Sequence, residues 1–109
     1  MHYKTQKIIS LYFALITVMI FESKDKNNTI IRLTEERWNH IKTEHPDVKI
    51  EDIKTTIESP TKITSSKYDQ EVKWYYKYNK QIKEYLMVSV KYLNGEGFII
   101  TSFYVRKIK

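Results

Sequence analysis

Cysteine is absent from this 109-residue chain, so it has no disulfide and no thiolate metal site, and its redox compartment leaves no trace. No glycine-rich phosphate loop, nucleophile elbow or carboxylate pair stands out. No repeat, low-complexity tract or interdomain linker divides the sequence, and its length suits one domain. Acidic residues are the minority, 13 Asp and Glu against 19 Lys and Arg, for a net charge of +6. Such a balance favours a polyanionic partner, nucleic acid or an anionic membrane surface, although a lysine-rich surface accounts for it equally well. What is plentiful is aromatic: 14% of the chain, including nine tyrosines, a residue suited to half-wet surfaces. A hydrophobic content of 41% is that of a globular protein.

A long hydrophobic run is also missing. Ile8 to Phe21 is continuous and mostly apolar, but it falls short of the roughly 20 residues a membrane-spanning helix requires. Lys4 and Lys7 precede it as in a secretory signal, yet no small-x-small cleavage site follows. We read residues 1–14 as an N-terminal extension and residues 15–109 as a single domain acting in the cytoplasm. The alternative, a signal or anchor, would place the protein outside the cytoplasm or on a membrane.

Thr17 to Phe21 is rich in β-branched residues and leads through Lys26-Asn27-Asn28 into Thr29-Ile30-Ile31-Arg32-Leu33, which is the pattern of a hairpin. Thr34 then suits an N-cap, with Glu35 and Glu36 in the first helical turn. This helix runs to about Glu44, since Pro46 disfavours helical geometry at His45. A second helix spans roughly Ile50 to Glu58, and Ser59-Pro60 stops it; Lys49 stands where a capping serine or aspartate would serve better. The remainder alternates as strands, with Asn94-Gly95-Glu96-Gly97 as a hairpin loop. The expectation is an α+β fold: an N-terminal β-hairpin, two helices, then a three- to four-stranded antiparallel sheet with the helices on one face. A wet, basic and aromatic face would carry Lys73, Tyr75, Lys77, Ser89 and Lys91.

Two of the three histidines, His40 and His45, fall within six positions of each other. Imidazoles titrate near neutrality, so a pair can act as base and acid. A lone histidine beside an apolar stripe is more often structural. As metal ligands the two are weak, because no further cluster has ligand spacing, and neither metal nor cofactor is expected. Lys91 and the hydroxyls of Thr101 or Ser102 suit phosphodiester cleavage, the lysine neutralising charge on the phosphorane and a hydroxyl holding a non-bridging oxygen. Both parities of that last strand are apolar, so which hydroxyl faces the site stays open.

The segment "IIRLTEERWNHIKTEHPDV", the second helix closing on a proline, and "WYYKY", "YLMVSVKYL" and "GFIITSFYVRKI" together resemble phage-associated nucleases of the barnase–EndoU–colicin–RelE superfamily. The resemblance extends from about Thr17 to Lys109 and is most specific from Arg-Trp-x-His-Ile to His-Pro. It implies a RelE-like fold and metal-independent RNA cleavage by a toxin or phage effector, with RNA as partner and an antitoxin or immunity protein as a second. Carried over by position, it assigns catalysis to His40, His45, Lys91 and Thr101, with His40 as base and His45 as acid. Arg37, Lys73, Tyr75, Ser102 and Tyr104 would hold RNA. The rival reading is a binding module without catalysis on the same fold.

Overall fold

Asp25 organises the first turn through its own side chain. Its carboxylate accepts the amide protons of Asn27 and Thr29, both at 2.9 Å, while Asn28 takes a left-handed conformation with φ 66°. The turn joins β1 (Met19–Lys24) to β2 (Ile30–Thr34). The computed structural model describes residues 18–109. The expected extension at 1–14, the domain start at residue 15 and most of the apolar run therefore lie outside the described residues.

The Thr34 hydroxyl accepts the Arg37 amide proton at 3.2 Å and starts α1 (Glu35–Glu44) directly after β2. The His45 amide closes the helix on the Ile41 carbonyl at 2.7 Å. Helix α2 (Ile50–Glu58) begins at Lys49 without a side-chain cap. Strands β3 (Lys62–Ser65), β4 (Val72–Asn79), β5 (Glu84–Leu93) and β6 (Glu96–Val105) follow. Asn94 and Gly95, with φ 54° and 80°, form the two-residue β5–β6 turn, so Gly97 already belongs to β6.

The expected architecture needs correction. In place of a hairpin followed by a separate three- to four-stranded antiparallel sheet, all strands share one six-stranded mixed sheet in the order β1-β2-β6-β5-β4-β3. The joint is a short parallel ladder, with Ile31 opposite Gly97 and Arg32 opposite Phe98. A parallel pair has no local turn to announce it; it needs a crossover, here the whole chain between β2 and β6. Arg32 pins the joint, reaching Glu22 at 3.4 Å and Glu96 at 2.5 Å with 19% of its side chain exposed.

Both helices cover one face. Ile41 from α1 and Ile53 and Ile57 from α2 lie buried against Ile31, Leu33, Leu86, Val88, Val90 and Ile99. No helix among the described residues is long and apolar enough to cross a membrane.

Within this layer runs a polar chain. Tyr92 donates to the second oxygen of Asp25 at 3.0 Å, and its hydroxyl also meets that of Tyr75 in a short hydrogen bond. The first turn is thereby tied to β5 and β4. Gly97 clears the way: a Cβ there would sit 3.3 Å from the Tyr92 ring and 2.9 Å from Ile31. Asp25 is only 8% exposed, so Tyr92→Phe should leave a buried acceptor short of a partner and cost about 1–3 kcal/mol in urea denaturation. Burial raises the phenols of both Tyr92 and Tyr75 above their ordinary value of 10.0. Phenols raised in the folded state contribute stability that is intact below pH 10.0 and lost as pH climbs beyond it. Stability of the wild type should fall above that pH, and more shallowly in Tyr92→Phe.

Candidate nucleic-acid interface and its rim histidine

Strand β5 separates the two sides of the sheet. Leu86, Val88 and Val90 point to the helices, so Met87, Ser89 and Lys91 point to the face the helices leave open. Across from them, Trp74 is level with Ser89 and Tyr76 with Met87. On β6 a bulge intervenes: Ser89 pairs with Thr101 but Val90 pairs with Ile99, leaving Ile100 as the extra residue. The strand therefore changes parity midway. Ile99 lies in the core, whereas beyond the bulge it is Ser102 that is buried and Thr101 that joins the open face.

Two rows of side chains result. One reads Thr64, Trp74, Ser89, Thr101, and the next Lys62, Tyr76, Met87, Phe103. Between the rows and the C-terminal residues lies a hollow of about 220 Å³, lined by Trp74, Tyr76, Met87, Ser89, Thr101, Phe103, Val105 and Lys109. Aromatic walls and a hydroxyl floor are its chemistry. The hydroxyl of Thr64, beside Trp74, is buried with no hydrogen-bond partner among the described residues. His45, half-buried where α1 ends, brings its ring to 5.1 Å from that of Phe103, tilted by 33°. An imidazole thus stands at the rim of this face.

At the other end, the β3–β4 connection folds onto Lys91. Its ammonium donates to Asp69 at 2.7 Å and lies 3.7 Å from Glu71. The hydrogen bond from Lys91, with a backbone amide, holds the Asp69 carboxyl below its usual value, while Asp69 raises Lys91.

The residues singled out in the sequence therefore part company. Thr101, Lys91 and His45 border the open face. His40 is exposed and opens onto a separate shallow hollow with Glu36, Asn39, Thr43 and Glu44, which His45 does not line. Arg37 is exposed on α1. The expected wet face is divided between the two sides of the sheet, because Lys73, Tyr75 and Lys77 sit opposite Val90, Val88 and Leu86 and so point to the helices. Tyr75, at 2% exposure, is core, and its hydroxyl belongs to the Asp25 chain, so no base can stack on it. Lys73 and Lys77 run their stems past this core to polar or aromatic ends: the Lys73 ammonium is 5.6 Å from the centre of the Tyr92 ring, and Lys77 donates to the Ser59 carbonyl at 2.7 Å. Ser102 is fully buried and donates to the Met87 carbonyl at 2.8 Å. Tyr104 also lies on the helix side, opposite Leu86, where burial raises its phenol.

Trp74, Tyr76, Ser89 and Phe103 are the site residues that sequence reasoning missed. Their signal was the alternation of β4, read with the wrong side inward because its lysines share a face with Tyr75. No cluster of three or more His, Asp or Glu among the described residues is placed to hold a metal. No protein-family model, curated protein or solved structure matches the chain.

The Asp69 carboxylate, with its lowered pKa, should keep the β3–β4 connection anchored above the ordinary value of 3.8 and release it only as pH falls through the lower, folded one. Asp69→Asn should accelerate amide hydrogen exchange across Ser66 to Glu71 at neutral pH, with little change in melting temperature. Equal exchange in the two proteins would show that the ion pair does not hold this segment.

Proposed function

We propose that the protein is a metal-independent endoribonuclease that lays single-stranded RNA across the open sheet face and cleaves it at the rim where His45 stands. The observation that carries this reading is the union of one face rich in Trp74, Phe103, Ser89 and Thr101 with an imidazole at its border. Bases stack on aromatic rings whatever their sequence, and cations follow the backbone. In the proposed reaction a base takes the proton of a ribose 2′-OH, and that oxygen bonds to the adjacent phosphorus. The P–O5′ bond breaks, and the departing 5′ oxygen takes a proton from an acid. The products are a 2′,3′-cyclic phosphate and a 5′-hydroxyl end.

We assign His45 the protonation of the leaving oxygen and Thr101 the orientation of the phosphate. A phosphate beside Thr101 would compete with Asp69 for Lys91, whose charge offsets that of the phosphorane. His40, five residues earlier on the same helix, is the candidate base. The fit with barnase–EndoU–colicin–RelE nucleases rests on the sequence segments that resemble them. On this reading the protein works in the cytoplasm as a toxin or mobile-element effector and is restrained by an antitoxin or immunity protein.

A second reading has its own support. His40 and His45 open onto different hollows, and Lys91 is already engaged by Asp69. Both facts suit a module that binds RNA without cutting it.

Purified protein incubated with RNA in EDTA separates the two. The nuclease reading expects 2′,3′-cyclic phosphate ends, survival of DNA, and a bell-shaped dependence of rate on pH. His45→Ala should lower the rate by roughly two to four decades with a small loss of binding. His40→Ala should do the same if it is the base and nothing if it is surface. Intact RNA that nevertheless binds establishes the binding module instead.

A further inference from the structure

Tyr68 is 94% exposed, the most exposed of the large hydrophobic side chains among the described residues. An aromatic ring in that position contributes nothing to the core. Its loop, however, is not slack. The Ser66 hydroxyl accepts the amides of Tyr68 at 3.1 Å and Asp69 at 3.3 Å. The Asp69 side chain accepts the Glu71 amide at 2.9 Å, and the Glu71 carbonyl accepts the Tyr92 amide at 2.8 Å. The other Asp69 oxygen is held by Lys91, which belongs to the open face. A fixed loop thus presents a free aromatic ring beside the row that Trp74 and Thr101 define.

We infer that Tyr68 is a base-stacking subsite, which holds a nucleotide flanking the one bound at Thr101 and lengthens the stretch of RNA the protein grips. This rests on the RNA-binding reading above and extends it beyond the hollow. Order in the loop matters because a ring already held in place loses little conformational freedom when a base settles on it. Charge favours nucleic acid as the occupant: Lys67 adjoins Tyr68, and Lys91 offsets the nearby carboxylates.

The test is binding of a fluorescently labelled ten-residue 2′-O-methyl oligouridylate, which lacks the free hydroxyl that cleavage requires. Tyr68→Ala and Tyr68→Leu should each weaken binding by about five- to a hundred-fold, the worth of one stacked base. Tyr68→Phe should bind as the wild type does, since the ring face is kept. All three should melt with the wild type. A wild type that fails to bind the probe overturns the RNA reading, and the subsite with it. A wild type that binds, with Tyr68→Ala and Tyr68→Leu binding equally well, overturns the subsite alone and leaves the ring to a protein partner.

Discussion

One carboxylate connects parts of the chain that sequence keeps far apart. Asp25 closes the first hairpin turn on itself and then receives the hydroxyl of Tyr92, 67 residues later. Through Tyr92 the chain of hydrogen bonds continues to Tyr75. These groups lie against the buried aliphatic layer, where an unpaired polar atom is expensive. The network is therefore stabilising mainly because it is complete. Gly97 is part of the same constraint, since the sheet admits the Tyr92 ring only where β6 carries no side chain.

With the hairpin held in this way, the parallel contact between β2 and β6 has somewhere to form. It is short, two residue pairs, and Arg32 secures it by bridging Glu22 on β1 and Glu96 on β6. Helix α1 leaves β2 directly and packs against β6, which carries His45 to Phe103. The position of the rim imidazole is thus a consequence of how the first hairpin joins the sheet.

The open face depends equally on a local irregularity. Without the extra residue at Ile100, one parity would run the length of β6, and Thr101 would not share a face with Ser89 while Ile99 stays in the core. Bulges re-aim side chains in this manner and raise local twist. Here the bulge makes one strand serve two purposes, aliphatic core at its start and a hydroxyl and aromatic surface further on. The same face is bounded at one end by the Asp69–Lys91 pair, which fixes the loop that displays Tyr68.

Features governed by a few adjacent residues were legible in the sequence: the turn at Lys26-Asn27-Asn28, the Thr34 cap, the helix end before Pro46 and the Asn94-Gly95 reversal. Each follows from backbone preferences and hydrogen bonds within a span of about four residues. The facing of β5 was legible too, because its aliphatic positions alternate cleanly. β4 was not, since aromatic residues occupy both of its faces, and lysines with long apolar stems flank its buried tyrosine. Nor did local pattern disclose the parity change at Ile100 or the union of all strands in one mixed sheet. Only tertiary structure decided those, because strand pairing and burial are set by partners distant in sequence and leave no mark in the spacing of neighbours. For the same reason His40 and His45, adjacent in the sequence and alike in chemistry, face different hollows once the helix that carries them is packed.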